Sequence, residues 1–294
     1  MKGVWIVQSN IINGLAEKKI SLQLISGNQL KMIATICMLI DHVTKVFYRR
    51  MINPILAMDW MTPEFHQWIR GAYMVLILIG AVAFPIFAFL FSEGYAHTHD
   101  KKRFLMRLAI FAVISEVPFD ITFNYAGGPA GWSPEIAKYW PMWWGYQNVF
   151  FTYLCSLGTL WVLEQTRRIK CKPLAKLLQG IIVLGAYLFN EEVLRGDYGG
   201  YGLLLIITAY ALRKNRLLQI CGMITVNLLL YKNFSVITDW FRISFAVAML
   251  LILFYNGKRG KKNLKLFFYN FYPAHIAVIG LLDWIIFTVF GVFP

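Results

Sequence analysis

An aspartate and a histidine stand side by side in the middle of the apolar stretch LKMIATICMLIDHVTKVFY. At about 1.5 Å of rise per helical residue, His42 lies roughly 16 Å beyond Lys31, near the middle of a hydrocarbon core about 30 Å thick. Ionisable groups at that depth are costly and mark functional sites by default. Since a neutral imidazole is the commonest general base, we expect His42 to transfer protons; the alternative is a histidine that only bonds a neighbouring helix.

Asp41 is not expected to orient His42, although the two are adjacent in sequence. Successive residues on a helix point about 100° apart and do not face each other. Asp41 should therefore face a different neighbour, such as an arginine. A carboxylate from another helix should orient His42, and the candidates are Glu93, Glu116, Asp120 and Asp197.

A second group of polar residues lies between residues 84 and 120. Glu93 ends an apolar run, and Arg103 and Arg107 lie four residues apart, on one face of the next predicted helix. Forked guanidinium donors suit a phosphate-bearing ligand that arrives from the cytosol, although arginines at such a position also reach lipid phosphates. Farther along, Glu116 precedes the helix kink expected at Pro118.

Two further segments contain ionisable residues at helix entrances. Asp197 and Tyr198 open the glycine-rich segment DYGGYG, where the carboxylate either caps a helix or takes part in the function. His275 lies in FFYNFYPAHIAVIG and either borders a cofactor or reaches toward the membrane surface. His97 and His99 have no matching ligand pair, so no metal is expected. Nucleotide-binding and hydrolase motifs of soluble enzymes are missing from the sequence.

Composition determines which elements must position these residues. The 294 residues are 58% hydrophobic, 16% aromatic and only 15% charged, which excludes an ordinary soluble domain. We expect an all-α, polytopic integral membrane helix bundle with about nine transmembrane helices, within a range of eight to ten. The predicted spans are 30–48, 71–92, 104–123, 147–165, 174–189, 199–212, 217–231, 240–255 and 266–290.

Residues 1–29 are interpreted as an N-terminal cytosolic or interfacial segment, because they contain no signal-peptide pattern. Residues 30–294 form the transmembrane domain. Lysines and arginines concentrate in the loops 166–173, 213–216 and 257–265, whereas the intervening loops are poor in them. Since basic loops face the cytoplasm, the N-terminus is predicted to be cytoplasmic and the C-terminus external; Arg49, Arg50 and Arg70 are exceptions.

The formal net charge of +14 does not require a nucleic-acid partner. Most of the basic excess falls in the predicted cytoplasmic loops, where membrane orientation and anionic lipids account for it. The four tryptophans before the fourth span are interpreted as an aromatic belt at the external interface rather than as a substrate site. They are Trp132, Trp140, Trp143 and Trp144.

Five motifs in one order resemble the TraX family: SGNQLKMIATICMLIDH, FPIFAFLFSEGYAHTHDKKRFLMRLAIFAVISEVPFD, QNVFFT, DYGGYG and FYPAH. The resemblance covers residues 26–275. The founding member of that family is associated with N-acetylation of conjugative pilin in bacteria, and the family resembles a wider group of multi-pass membrane acyltransferases that includes the heparan-glucosaminide N-acetyltransferases. The chain departs from the expected pattern at Val43, Thr44 and Lys45, and at His99.

The resemblance implies transfer of an acetyl group from cytosolic acetyl-CoA to an acceptor at the bacterial inner membrane. His42, Asp41, Glu116 and Asn148 would then be catalytic, with His42 as general base and Asn148 donating to the oxyanion. Asp120, Asp197 and Tyr198 would have substrate-binding or structural roles. The residues that would hold acetyl-CoA are Lys31, Glu93, Arg103, Arg107 and His275.

Several alternatives stay open at the level of sequence. Transfer is either direct or passes through an acyl-histidine, and the acceptor is a pilin-like N-terminal amine, a glycan hydroxyl or a small amine. A transporter or proton-coupled permease would also use intramembrane Asp, Glu and His groups. Internal repeats would favour that class, and none is recognisable between residues 30–165 and 174–290.

Overall fold

The computed structural model describes residues 24–48, 62–124, 145–230 and 236–289. Within these ranges the chain is helical, with only two isolated β-bridges, so the predicted all-α class is confirmed. The helices are α1 Gly27–Phe47, α2 Pro63–Ala81, α3 Ala83–Ala96, α4 Lys101–Phe119, α5 Val149–Thr166, α6 Lys172–Leu188, α7 Gly199–Ala211, α8 Arg216–Leu230, α9 Val236–Leu253 and α10 Lys265–Trp284. Three of them continue into π-helical turns, at Asp120–Asn124, Phe189–Val193 and Ile285–Val289.

Helices long and apolar enough to cross a membrane occur three times in the described ranges: Pro63–Ala96, Lys172–Val193 and Lys265–Phe287. Shorter apolar helices occupy Gly199–Ala211, Arg216–Leu230 and Trp240–Leu253. Each of the nine predicted spans coincides with a helix, since α2 and α3 form one rod that is interrupted at Val82. The number of membrane crossings stays a prediction.

Polar caps set helix starts that hydropathy alone misses. Ser26 and Gln29 form a reciprocal capping box at α1, which therefore begins at Gly27 rather than at residue 30. The Thr62 side chain accepts a hydrogen bond from the Phe65 N–H and is followed by a proline at the first helical position. The helix thus begins eight residues before the predicted start at residue 71.

One end of the bundle is basic and is held together by partly buried polar contacts. Glu164 of α5 accepts hydrogen bonds from Lys101 of α4 at 2.5 Å, Tyr95 of α3 at 3.2 Å and Tyr210 of α7 at 2.5 Å. The Arg216 guanidinium, at the start of α8, lies over the Phe89 and Tyr255 rings. We call this the basic end. It brings together helix termini that border the predicted cytoplasmic loops.

The opposite end is formed where the segment before α5 meets the segment before α7. The Gln147 N–H donates to the Arg195 carbonyl at 3.1 Å, and the Asp197 N–H donates to the Gln147 carbonyl at 2.8 Å. Phe47 and Phe287, near the ends of α1 and α10, also approach each other here. The alternation of helix ends that the loop charges predict is therefore present among the described residues.

Helices α1 and α10 run side by side in the same direction from the basic end. The loop after α9 holds the start of α1, because the Gly27 and Asn28 N–H groups donate to the Lys258 and Arg259 carbonyls. The Asn28 side chain also donates to the Lys262 carbonyl at 2.7 Å. This register places residues of α1 and α10 at matching depths.

Some sequence-based predictions lie outside the described residues. They concern the tryptophan belt, most of the N-terminal segment and two of the exceptional arginines. These residues are Trp132, Trp140, Trp143, Trp144, Arg49, Arg50 and residues 1–23.

Candidate functional site

His42 of α1 and His275 of α10 form a hydrogen-bonded pair between the two parallel helices. His42 Nδ1 and His275 Nε2 are 2.7 Å apart, and the two rings are nearly parallel, with an interplanar angle of 7°. His275 Nδ1 lies 2.8 Å from the Phe271 carbonyl oxygen. The prediction that a carboxylate orients His42 was wrong. A second imidazole does so, because the register of α1 and α10 sets the partner and sequence spacing does not.

Aromatic rings surround the histidine pair. The Phe123 ring contacts His42 edge-on at a centroid distance of 4.9 Å, and the Phe271 ring stacks on His275 at 4.8 Å. Tyr272 lies at a similar angle to both imidazoles. The pair is thus enclosed by aromatic side chains, and an imidazole in its neutral form can accept a proton.

Asp41 forms an ion pair with Lys45, one helical turn farther along α1. Lys45 Nζ donates to Asp41 Oδ2 at 2.6 Å, and Asp41 is only 8% exposed. As predicted, Asp41 faces away from the partner of His42, but its own partner is a lysine rather than an arginine. Asp197 interacts electrostatically with both members of this ion pair. Asp41 thus stabilises the bundle next to His42 without touching its ring nitrogens.

A cavity of about 520 Å³ opens at the basic end, between α1, α3, α4, α5 and α10. Four cationic side chains line it together with one carboxylate, which makes it a suitable site for a polyanionic group. These residues are Lys31, Arg107, Arg259, Lys265 and Glu93.

The inner part of the cavity is apolar and aromatic. Met38, Val149 and Phe150 line it together with Phe271 and Tyr272. Met38 precedes His42 by four residues, and Phe271 precedes His275 by four. The cavity therefore runs from the cationic mouth to within one helical turn of the histidine pair.

One face of α1 connects the mouth to the histidine pair. Residues at positions 31, 35, 38 and 42 share a helix face because their spacings follow the 3.6-residue period. Lys31, Thr35 and Met38 line the cavity, and His42 comes next on the same stripe. His42, about 16 Å from Lys31 by helical rise, thus lies at the inner end of the helix face that lines the cavity.

The two arginines predicted to bind the cofactor have different environments. Arg107 lines the cavity, and its buried Nε has no hydrogen-bond acceptor among the described residues. Arg103 is not a lining residue: its side chain is 76% exposed and pairs with Asp100 at 3.2 Å. The prediction that both hold the same ligand therefore needs correction, because one helical turn moves Arg103 out to the rim.

Asn148 has a structural role rather than the predicted role of oxyanion donor. It caps α5, with Oδ1 accepting from the Phe150 N–H at 3.0 Å. Its fully buried Nδ2 donates to the Ala112 carbonyl at 2.8 Å and to the Glu116 carboxylate. Both amide hydrogens are thus in use. Glu116 also accepts from the Asn148 N–H, while its Oε1 has no partner among the described residues.

Asp197 lies outside the helices and accepts a hydrogen bond from the Tyr146 hydroxyl at 2.7 Å. Burial raises the pKa of the Asp197 carboxyl, and the bond from Tyr146 opposes part of this rise. The suggestion that Asp197 caps α7 was wrong, because Glu191 instead accepts from the Gly200 N–H at 2.8 Å. Tyr198 adopts a left-handed conformation and stacks on Phe84 at 3.5 Å. It shapes this turn.

Asp120 is fully buried in the π-helical turn after α4. Two residues later, the Thr122 hydroxyl donates to the Ile276 carbonyl at 3.2 Å, next to His275. This turn therefore supports the part of α10 that carries the histidine. Single-turn π-helices of this kind are frequent at functional sites.

Sequence reasoning did not single out several residues of the site. Lys265 and Arg259 were counted only as loop charges, and Tyr272 was taken as part of an aromatic helix entrance.

Comparison with protein families gives one match, which covers all the site residues described above. The family model described as TraX protein matches residues 26–283, which is most of the chain. Neither the curated proteins nor the solved structures give a match.

Proposed function

The chain belongs to the TraX family, and from this premise we propose that it is a membrane-embedded acyltransferase that uses acetyl-CoA. The observation that carries the proposal is the cavity between the basic end and the His42–His275 pair. It combines a cationic mouth with an apolar inner part, and His42, the proposed general base, lies one helical turn beyond Met38 of its lining. These are the three environments that a phosphorylated thioester donor needs.

The cationic mouth would hold the phosphates of coenzyme A. Lys31, Arg107, Arg259 and Lys265 line it, and the Arg107 Nε is a buried donor for which an anion would be a natural acceptor. The flexible arm of the cofactor would then extend along the apolar part toward Met38 and Tyr272. The thioester would then lie at the end of the cavity closest to the histidines.

The chemistry assigned to His42 is general base catalysis. Its imidazole takes the proton from the acceptor amine or hydroxyl while the acceptor attacks the thioester carbonyl. The new C–N or C–O bond forms, the C–S bond breaks, and the proton passes to the leaving thiolate to give coenzyme A. A two-step route through an acyl-imidazole uses the same residues.

The basic end would face the cytosol, where acetyl-CoA is available. Lysine and arginine accumulate on the cytoplasmic side of membrane proteins, which also supports a cytoplasmic N-terminus. Membership of the TraX family supports a location in the bacterial inner membrane. The acceptor, a pilin-like N-terminal amine of a conjugation system or another amine or hydroxyl, would approach from the opposite end.

The experiment uses the purified full chain in lipid nanodiscs. Acetyl-CoA should raise the thermal unfolding temperature, and free thiol should be released when an acceptor panel of a pilin-like N-terminal peptide, glucosamine and small amines is added. Binding without thiol release from any acceptor, together with uptake of an acceptor into sealed vesicles, would instead support the permease class. No stabilisation by acetyl-CoA at millimolar concentration would refute the proposal.

A further inference from the structure

We infer that His275 is a positioning residue that fixes the protonation tautomer of His42, leaving the lone pair of His42 on Nε2. The catalytic consequence rests on the proposed function, but the tautomer itself follows from geometry. The argument uses three groups in a row: the Phe271 carbonyl, the His275 ring and the His42 ring.

The carbonyl oxygen of Phe271 determines the protonation of His275. A carbonyl can only accept, so the nitrogen 2.8 Å away, His275 Nδ1, must carry the hydrogen. A neutral imidazole has one N–H group, and His275 Nε2 is then left with its lone pair. Pro273, which has no backbone N–H, lies in the same turn of α10 and reduces the number of backbone donors there.

The lone pair of His275 in turn determines the protonation of His42. His42 Nδ1 lies 2.7 Å from His275 Nε2, which is a hydrogen-bond distance. Since His275 Nε2 accepts, His42 Nδ1 must donate. The remaining nitrogen of His42, Nε2, therefore has the lone pair that proton abstraction or nucleophilic attack requires.

An imidazole with an ordinary pKa of about 6.5 is mostly neutral at higher pH. Neither ring has an ion-pair partner among the described carboxylates that would favour the charged form, and the rings of Phe123, Phe271 and Tyr272 contact the pair. If both rings were fully protonated, two N–H groups would point at each other across 2.7 Å. The pair therefore has room for one additional proton and not for two.

This arrangement gives His275 the position that a carboxylate holds in a catalytic triad. When His42 Nε2 takes a proton, its Nδ1–H still points at the His275 lone pair, so the two rings share the resulting positive charge. In serine proteases, loss of the correct histidine tautomer lowers kcat by about 10⁴. A neutral imidazole is the weaker orienting partner, and it avoids a permanent buried charge.

The test is nitrogen-15 NMR of the full chain labelled at histidine in lipid bilayers, because ring nitrogen shifts distinguish N–H from lone-pair nitrogen. Two histidines, His42 and His275, should show Nδ1–H and an unprotonated Nε2, and the signals of one of the two should vanish from the spectrum in His42→Gln. If the wild-type His42 carries its hydrogen on Nε2, the inference is overturned. This measurement needs neither acceptor nor turnover.

Two variants at position 275 separate the effect of a hydrogen-bond acceptor from the effect of side-chain shape. In His275→Gln, the amide oxygen can still accept from His42, so the tautomer of His42 should persist. In His275→Phe, the acceptor is lost and the Nε2–H form should appear. An unchanged His42 tautomer in a folded His275→Phe protein would overturn the inference, and His99→Gln, an exposed loop position, is the matched control.

Turnover connects the inference to the proposed function. Thiol release should fall by about 10²-fold or more in His275→Phe, within the range of general base catalysis, and by less in His275→Gln, with the KM for acetyl-CoA unchanged in both. Equal loss in the two variants would refute a positioning role. If His42 carries its hydrogen on Nδ1 but the protein transfers no acetyl group to any acceptor, the proposed function is refuted and the inference about the tautomer stands.

Discussion

Gly80 of α2 lies directly against Asp41 of α1. A Cβ atom at position 80 would stand 2.9 Å from the Asp41 Cα and 2.7 Å from its Oδ1, distances at which something must move. The absence of a side chain at Gly80 therefore sets how closely α2 packs beside the ion pair of Asp41 and Lys45. His42 is the next residue on α1, so a shift of α1 at this contact would move it as well.

We predict that Gly80→Ala destabilises the protein by about 1–3 kcal/mol, the usual cost of overpacking, and lowers acetyl transfer by displacing α1. Gly71→Ala is the control on the same helix, because nothing lies within 4 Å of its Cβ position; it should stabilise by about 0.5–1 kcal/mol. Thermal unfolding in detergent measures both changes. Equal unfolding temperatures for the two variants would contradict the close contact.

Lys45→Met should destabilise the fold by about 1–3 kcal/mol, because it leaves the buried Asp41 carboxylate without its donor. The value should lie in the lower part of that range, since the Lys45 side chain is 45% exposed. The double variant Asp41→Asn, Lys45→Met should recover part of the loss, as a double-mutant cycle would show. Strictly additive effects would mean that the ion pair contributes nothing.

His42→Ala should bind acetyl-CoA normally but lose about 10²–10⁴-fold in transfer rate, the typical contribution of a general base. Binding should persist because the cavity is lined by residues before His42 on the same face of α1. Thermal shift with acetyl-CoA and release of free thiol measure the two properties separately. Full turnover in His42→Ala would contradict the proposal that His42 is the general base. The control His99→Ala should behave like the unsubstituted protein.

Arg107→Ala should weaken acetyl-CoA binding by about 10- to 100-fold, which corresponds to the loss of one charge-assisted hydrogen bond of about 1.5–3 kcal/mol. Arg103→Ala removes the same charge one helical turn away, from a side chain that is exposed and paired with Asp100. It should change affinity little at physiological salt. Similar losses in both variants would indicate a general electrostatic effect rather than a site at Arg107.

The stability of the protein should fall as the pH rises past the ordinary pKa of aspartate, in part because of Asp197. Burial raises the pKa of this carboxyl in the folded state, so the folded protein holds more protons than the unfolded chain between the two values. The free energy of unfolding then decreases with pH across that window. The titratable groups that interact electrostatically with Asp197 include Tyr146, Lys45, Asp41, Tyr153 and Tyr272.

Asp197→Asn should remove this contribution. As the pH rises from about 4, the unfolding temperature of the unsubstituted protein should fall relative to that of the variant. Above the pKa of Asp197 in the folded protein, the difference should stay constant. Tyr146→Phe should increase the pH dependence, because it removes the hydrogen bond that stabilises the charged carboxylate. A difference independent of pH would contradict the raised pKa.

The apolar pattern was sufficient to predict the helices, because each helix must satisfy its own backbone hydrogen bonds in lipid. The basic residues of the loops predicted the alternation of the helix ends. Helix starts were less accurate where polar caps such as Ser26 and Thr62 extend a helix beyond its apolar run. The interruption at Val82 was not predicted, since no residue there breaks the hydropathy pattern.

For the site, the sequence alone determined the distance of His42 from Lys31 along one helix, the family motifs and the separate directions of Asp41 and His42. These properties follow from spacing along one helix and from residue type. Tertiary structure decided that His275 is the partner of His42, that Arg107 and not Arg103 enters the cavity, and that the amide of Asn148 is fully occupied. Each of these depends on the register between helices far apart in sequence, which side-chain packing sets and local periodicity does not encode.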